Sequence, residues 1–300
     1  MTDITLITCT LCILTATLCL AAQSQASDSC AGKSSYIIQS HRGAGNLAPE
    51  NTLQSFELAW KIGTIPEADV RSTSDGVIVA FHDNNLERLA PSADPAIRPK
   101  SVNDLPWDVV SKLDVGSYKG EQYKGERIPR ISDVLDRMKG HKERLLYLDV
   151  KKVPLDKLAA LARERGVDEQ VILASSHYNE IREWKRLLPK SQTLLWNGGD
   201  ETQLRQRMAE FQKADFADIT QLQIHVNVLD LKAVEPFAPS CKFLREVKLE
   251  IKPKGILFQV LVIGSDNPEA YHKLMDLGVE SFASDDPMVT LKVMGEYNKS

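Results

Sequence analysis

Polar and charged side chains follow several apolar segments of this chain, at the points where those segments end. They are His41-Arg42-Gly43, Glu67 with Asp69, His82-Asp83, Asp149 with Lys151, and Asp285-Asp286-Pro287. Each group taken alone is as easily a structural histidine, a solvated acidic rim or a helix cap. Their repetition after successive strands instead favours one shared site, because the carboxyl ends of barrel strands meet on one face.

The acidic residues are spaced to share one face of a strand. Side chains at positions i and i+2 point the same way, so Glu67 aligns with Asp69, and Asp149 aligns with Lys151. Three carboxylates that converge from two strands are unfavourable unless positive charge neutralises them. Hard divalent cations such as Ca²⁺ and Mg²⁺ prefer oxygen ligands of this kind. We therefore predict a divalent metal site formed by Glu67, Asp69 and Asp149.

Two cationic side chains and two histidines complete the predicted chemistry. Arg42 and Lys151 would lie beside the metal, where they suit a phosphate group whose negative charge grows during displacement. Phosphodiester cleavage requires one group that takes a proton from the nucleophile and another that protonates the leaving alcohol. Two histidines, one neutral and one protonated, do this near pH 7. His41 and His82 are the predicted pair, and the sequence leaves open which is the acid.

Strands alternate with helical patterns along the chain and would position these residues. Repeated strand-then-helix units predict α/β architecture in the form of a TIM-type (β/α)8 barrel, although an open doubly wound sheet has the same local pattern. Nine candidate strands compete for eight barrel positions, so one is expected to be a hairpin arm or a rim strand. The predicted strands are 36–40, 65–70, 77–81, 145–150, 171–175, 193–196, 222–226, 257–263 and 281–284.

A polar stretch interrupts the alternation after the third predicted strand. It covers about residues 84–142 and is interpreted as a small insertion into the barrel. Helices are predicted within it near 107–113 and 132–139. Outside it, the clearest predicted helices are 52–62 and 155–165, the second of which ends at a glycine, Gly166.

An apolar run at residues 4–22 precedes the strands and is followed by small and polar residues. Residues 1–26 are therefore predicted to be a signal peptide, although Asp3 is the only charge before the run. A retained membrane anchor is the alternative, because the run is nearly long enough to span a bilayer. The signal peptide would direct export to a periplasmic or extracellular location, and its cleavage would leave no stable membrane span. It would leave a single domain at 27–300.

The five cysteines and the net charge of −4 exclude some classes of protein. Three cysteines lie in the apolar run, so the spacing of Cys9 and Cys12 is not expected to form a redox motif. Only Cys30 and Cys241 remain beyond it, and the sequence does not show whether they pair. A general nucleic-acid-binding protein would normally carry a basic excess, which this chain lacks.

The residues at these strand ends resemble a known family, the glycerophosphodiester phosphodiesterases. His41-Arg42-Gly43 followed by Pro49-Glu50-Asn51-Thr52 is similar to the family's HRG…PENT opening. Later blocks resemble it over about residues 36–290. These blocks are Glu67-Ala68-Asp69-Val70, Thr73, Asp75-Gly76, His82-Asp83, Gly125-Glu126-Arg127-Ile128-Pro129, Asp149-Val150-Lys151 and Asp285-Asp286-Pro287.

The resemblance implies a TIM-type barrel that hydrolyses small glycerophosphodiesters to glycerol 3-phosphate and an alcohol, with a divalent metal ion. Residue by residue, it assigns the same catalytic, metal-binding and phosphate-binding roles as the strand-end argument. It adds three supporting residues, which are Glu50, Asn51 and Asp83.

Two positions depart from the family pattern. The third metal ligand is usually Glu, whereas Asp149 is one methylene shorter, which could shift the position or identity of the metal. On the penultimate strand the family often has Trp where this chain has Phe258. Phe258 is predicted to contact the glycerol or alcohol side of the substrate, so the substrate preference stays open.

Other functions remain compatible with these residues. A lysophospholipase D or a cyclising phosphodiesterase acting on choline-bearing lipids would use the same fold and metal. A non-catalytic phosphodiester-binding barrel would keep the fold alone. Gly43-Ala44-Gly45 and Glu67 also match a dinucleotide-binding spacing, but Pro49 falls where the first helix of that motif would run. The sequence predicts no particular oligomeric state.

Overall fold

The computed structural model describes residues 37–297, so the predicted leader and Cys30 lie outside the described residues. The strands are β1 Ile37–Ser40, β2 Ile65–Ser72, β3 Ile78–Ala80, β4 Leu146–Lys152, β5 Val171–Ser175, β6 Gln192–Asn197, β7 Gln221–Val228, β8 Phe237–Ala238, β9 Leu257–Ile263 and β10 Ser281–Ser284. The helices are α1 Leu53–Lys61, α2 Trp107–Val110, α3 Ile131–Asp136, α4 Leu155–Glu164, α5 Tyr178–Leu187, α6 Glu201–Lys213, α7 Cys241–Ile251, α8 Pro268–Asp276 and α9 Pro287–Tyr297.

Eight parallel strands form a closed barrel. Their order is β1-β10-β9-β7-β6-β5-β4-β2, and β1 also pairs with β2, which joins the two ends of the sheet. This closure confirms the predicted TIM-type barrel and excludes the open doubly wound sheet, whose edge strands would stay unpaired. It also places the carboxyl ends of all eight strands on one face.

The extra strand among the nine predicted, 77–81, is a hairpin arm. β3 pairs antiparallel with β2, with Val70 opposite Ala80, so it lies outside the barrel. A two-residue strand, β8, also pairs antiparallel with β7 and was not expected from the sequence. The predicted helices 107–113 and 132–139 are shorter than expected. Both α2 and α3 end in i→i+3 hydrogen bonds, which tighten the chain into turns.

The main hydrophobic core lies between the outer faces of the strands and the surrounding helices. Its largest fully buried side chains include Phe56, Trp184 and Phe243 from α1, α5 and α7. The segment between β3 and β4 packs around a second, smaller core that includes Leu86 and Val102. That segment is therefore held against the barrel by apolar contacts of its own.

The barrel interior contains buried polar side chains beside a small apolar cluster that includes Ile172 and Leu194. Tyr147 Oη donates a hydrogen bond to Gln221 Oε1 at 2.7 Å, and Gln259 Nε2 donates to Ser281 Oγ at 2.8 Å. Gln223 Nε2 donates to Gln259 Oε1. Because these groups satisfy one another, the interior can be polar without a large desolvation cost.

Two further features of the described residues concern the membrane and the cysteines. Within residues 37–297, no helix is both long enough and apolar enough to cross a bilayer. Cys241 is partly exposed, and its predicted possible partner, Cys30, lies outside the described residues.

Replacing Tyr147 by Phe tests the importance of the polar interior. The change removes the donor to Gln221 Oε1 and leaves a buried acceptor unsatisfied, so we expect a loss of about 1–3 kcal/mol in the free energy of unfolding. Urea unfolding measures it. Tyr178→Phe is the matched control, because its hydroxyl donates to Ala217 O at an exposed position, and it should cost about 0.5 kcal/mol. Equal losses for the two variants would contradict a structural role for the interior network.

Candidate active site

The turn after β1 packs so closely that glycine is required at two positions. A Cβ on Gly43, which has φ +103°, would lie 2.3 Å from Ser55 Oγ of α1. A Cβ on Gly45, which has φ +58°, would lie 2.2 Å from the carbonyl oxygen of Asp285. Both glycines therefore let the turn approach α1 and the end of β10. The first α-helix after these glycines begins only at Leu53, which removes their dinucleotide-binding interpretation.

His41 is oriented by an acidic residue that follows β10. Its Nδ1 lies 2.7 Å from Asp285 Oδ1. Burial by itself lowers the pKa of His41, but the hydrogen bond with Asp285 and the negative charge of Glu67 outweigh burial and raise the pKa to about 8. The ring therefore favours its protonated form around neutral pH, with Nε2 left to face a ligand.

The three predicted metal ligands come together at the ends of β2 and β4. Asp69 and Asp149 are register partners on these adjacent parallel strands, and Glu67 shares the face of Asp69. One carboxylate oxygen from each of the three lies within 4.8 Å of the others. Burial and the charge of Asp69 raise the pKa of Glu67 to about 8, and burial raises the pKa of Asp149.

Two cationic groups partly compensate this negative charge. Lys151 Nζ lies 2.6 Å from Asp149 Oδ2 and 3.2 Å from Asp69 Oδ1. The register between β2 and β4 shifts after Val150, so Lys151 has no register partner on β2. The second cationic group is the guanidinium of Arg42, whose Nε lies 3.7 Å from Asp69 Oδ2. The backbone N–H of Arg42 also donates to Glu67 Oε2 at 2.7 Å. Although burial opposes it, the charge of Lys151 keeps the pKa of Asp69 below its ordinary value.

Neutral side chains fix the orientation of two of the carboxylates. Asn51 has a left-handed backbone, with φ 55°, and its Nδ2 donates to Asp69 Oδ2 at 2.8 Å while its Oδ1 accepts from the backbone N–H of Asp69. Trp196 Nε1 donates to Asp149 Oδ1 at 3.2 Å, and its ring stacks on His225. A residue with a left-handed backbone such as Asn51 is often found at functional sites, where its side chain must be held in one position.

His82 belongs to a second chain of charged contacts. Its Nδ1 lies 2.8 Å from Asp83 Oδ1, and Arg88 donates to both Asp83 and Glu50. Glu50 Oε1 also accepts from Arg42 Nη1 at 3.1 Å. Burial raises the pKa of Asp83, but its hydrogen bonds with Arg88 and His82 outweigh burial and lower it to about 2. These contacts connect His82 to Arg42, which lies beside the carboxylate cluster.

The carboxylate cluster fits a hard divalent cation. All three donors are oxygens, and Glu67 Oε1 is buried with no hydrogen-bond partner among the described residues. A cation would give that oxygen a partner and would reduce the repulsion between Glu67 and Asp69. A second group, formed by Glu50, His82 and Asp83, is less suited because Arg88 already occupies its carboxylates.

The prediction for Phe258 is wrong. It is the second residue of β9, far from the carboxyl end of the strand, and it is fully buried in the core beneath the helices. Its neighbour Gln259 points into the barrel instead, because side chains alternate along a strand. On the face of Gln259, Leu261 and Ile263 are the residues nearer the site.

The structure brings the other predicted residues together through the contacts above, and it adds three that the sequence argument did not assign. Asp285 stands directly after the last strand, a position that was a usable signal. Arg88 and Trp196 gave no such signal. Arg88 belongs to the segment between β3 and β4, and Trp196 resembles an ordinary apolar strand residue.

Comparison with known proteins agrees with this geometry. The model of the glycerophosphoryl diester phosphodiesterase family matches residues 41–289. A glycerophosphodiester phosphodiesterase of Caldanaerobacter subterraneus is 30% identical over 160 residues, which are 51% of this chain and 63% of that protein. A glycerophosphodiester phosphodiesterase of Bacillus subtilis is 25% identical over 282 residues, which are 87% of each chain. The chain thus spans somewhat less than two thirds of the first relative.

Solved structures share the fold. A phosphodiesterase from Oleispira antarctica, in complex with the product sn-glycerol-3-phosphate, superposes with a TM-score of 0.63 at 25% identity and covers 86% of this chain and 96% of its own. A putative glycerophosphoryl diester phosphodiesterase from Silicibacter pomeroyi gives a TM-score of 0.67 at 22% identity, covering 87% and 93%. With the family match over most of its length, the chain belongs to the glycerophosphoryl diester phosphodiesterase family.

Proposed function

We propose that this protein hydrolyses glycerophosphodiesters to glycerol 3-phosphate and an alcohol, with a divalent cation bound by Glu67, Asp69 and Asp149. The observation that carries the proposal is the joint placement of three carboxylates, two cationic side chains and two histidines, each histidine hydrogen-bonded to a carboxylate. Glu67 and Asp69 are buried, and Asp149 is partly buried. The relatives named above and the product complex of the Oleispira enzyme support the substrate class.

Arg42 and Lys151 bind the phosphodiester in this mechanism. Both lie beside the carboxylate cluster, and both are held by it, Arg42 Nε at 3.7 Å and Lys151 Nζ at 3.2 Å from Asp69. Their position is set before substrate binds, so little reorganisation is needed as charge develops on the phosphate oxygens. A bound Ca²⁺ or Mg²⁺ would supply further positive charge at that phosphate.

The two histidines move the protons. Asp285 and Asp83 each engage Nδ1 of one ring, which leaves Nε2 of His41 and of His82 for proton transfer. The raised pKa of His41 favours it as the group that protonates the leaving alcohol. His82 then takes the proton from the nucleophile, which is water for hydrolysis or the glycerol 2-hydroxyl for cyclic phosphate formation.

Release of glycerol 3-phosphate from glycerophosphoserine or glycerophosphoethanolamine, measured with Mg²⁺ or Ca²⁺, tests the function. His41→Ala and His82→Ala should each lower kcat by about 10²–10⁴-fold, because each removes one proton transfer. His141→Ala is the matched control, since that exposed ring is hydrogen-bonded to Glu143 outside the site, and it should keep full activity.

Several outcomes would count against this assignment. Near-wild-type turnover in His41→Ala would exclude its catalytic role, and undiminished turnover in EDTA would exclude an essential exchangeable cation. Binding of the diester without any product would indicate a non-catalytic barrel. Choline release from lysophosphatidylcholine in place of glycerol 3-phosphate release would indicate lysophospholipase D activity, and a cyclic product would indicate attack by the substrate hydroxyl.

Asp285→Asn tests whether Asp285 sets the protonation of His41. Since the carboxylate raises the pKa of His41 to about 8, removing its charge should move the pKa back toward the ordinary 6.5. NMR titration of the imidazole in metal-free protein measures the shift, and the alkaline limb of kcat/KM should move to lower pH with it. Asp286→Asn is the control, because Asp286 instead caps the start of α9. An unchanged titration in Asp285→Asn would contradict the assignment.

We also propose that the protein is exported. The proposal rests on the apolar run and the small-residue site in residues 1–26. Comparing the N-terminal sequence and compartment of the expressed protein with those of a chain beginning at residue 27 would test it.

A further inference from the structure

A cavity of about 350 Å³ opens beside His41 and Arg42. One of its walls comes from the segment between β3 and β4, through Arg88, Tyr118 and Lys119. A diester whose phosphorus lies against His41 and Arg42 would extend one of its two alcohol groups into this space. The cavity is therefore a candidate for the subsite that distinguishes one alcohol from another.

The wall carrying Lys119 is tied firmly to the barrel. Tyr118 Oη accepts a hydrogen bond from the backbone N–H of Glu50 at 3.0 Å, and Tyr123 Oη donates to Leu47 O at 3.3 Å. Asp114 closes the base of the same segment, because its carboxylate accepts from Ser117 and from the backbone N–H groups nearby. The backbone at Lys119 is thereby held beside the cavity.

Each charged group that lines the cavity has a partner of opposite charge among the described residues, with the exception of Lys119. Glu50 is paired with Arg42 and Arg88, and Asp285 is paired with His41. The Lys119 ammonium is partly buried and has no carboxylate within 4.0 Å among residues 37–297. Lys119 therefore places a cation beside the proposed reaction centre, and a bound ligand would supply its negatively charged partner.

The lining is unsuited to a quaternary ammonium group. Such groups bind in cages of aromatic faces. Among the described residues, the cavity wall has only two aromatic rings, those of Tyr118 and His41, which are too few for such a cage, and His41 is itself cationic when protonated. A trimethylammonium group would instead meet Arg42, Arg88 and Lys119, which repel it.

We propose that this cavity receives the leaving alcohol and that Lys119 pairs with an anionic group on that alcohol. Diesters whose alcohol carries an anionic group are then preferred over diesters whose alcohol carries only a cationic group. The proposal rests on the proposed phosphodiesterase function and names its substrate class. In this arrangement Lys119 contributes to specificity, while Arg42 and Lys151 hold the phosphate shared by all diesters.

Glycerophosphoserine and glycerophosphoethanolamine test the proposal, because they differ by one carboxylate. Wild-type kcat/KM should favour glycerophosphoserine by about tenfold, the equivalent of one charge-assisted hydrogen bond. Lys119→Met should remove the preference by lowering the glycerophosphoserine value alone, and Lys119→Arg should retain it. Lys124→Met is the matched control, because Lys124 lies on the same segment but pairs with Glu121 away from the cavity.

Equal wild-type values for the two diesters would overturn the proposal. An equal loss for both in Lys119→Met would also overturn it, since Lys119 would then act on the shared phosphate. If the wild-type protein turns over neither diester, the proposed function fails. Calorimetric titration of the same two diesters into wild-type protein and Lys119→Met then decides the role of Lys119. A tenfold difference in Kd that depends on Lys119 would support the proposal, and equal Kd values would overturn it.

Discussion

Repulsion among three carboxylates, two of them buried and one partly buried, is the constraint on which the site depends. Glu67, Asp69 and Asp149 lie within contact range of one another at the ends of two paired strands, where burial and mutual repulsion both oppose ionisation. A fold does not retain such a cluster for stability, because neutral side chains of similar size would cost less there. The surrounding structure is best understood as the means of holding these charges in place.

Compensation spreads outward from the cluster through shared cations. Lys151 bridges Asp69 and Asp149, whereas Arg42 contacts the cluster on one side and Glu50 on the other. Arg88 extends the chain from Glu50 to Asp83, the partner of His82. The position of His82, one of the two proposed catalytic histidines, therefore depends on the electrostatics of the cluster. This dependence also gives the segment between β3 and β4 a role in the site, because it supplies Arg88.

Strand periodicity made part of the site predictable from the sequence, whereas the features that depend on packing were not predictable. Glu67 with Asp69, and Asp149 with Lys151, were placed on common faces because strand geometry is local. The barrel could be inferred from repeated strand-helix units, but its closure through β1 and β2 is a long-range contact that no local pattern encodes. Phe258 was misplaced although the predicted bounds of its strand were right, because the second residue of a barrel strand lies far from the carboxyl end at which the site forms. Arg88 and Lys119 reach the site through an irregular segment with no periodicity to interpret.

The most direct test of the account compares thermal unfolding with and without Mg²⁺ or Ca²⁺ in wild-type protein and in Glu67→Gln. If the carboxylates form a cation site, wild-type protein should be stabilised by about 2.7 kcal/mol at a cation concentration of 100 times Kd. Glu67→Gln should lose most of that gain. It should melt no lower than wild-type protein in EDTA, because a neutral amide relieves the repulsion among the buried carboxylates. Identical melting of wild-type protein with and without the cations would contradict the account.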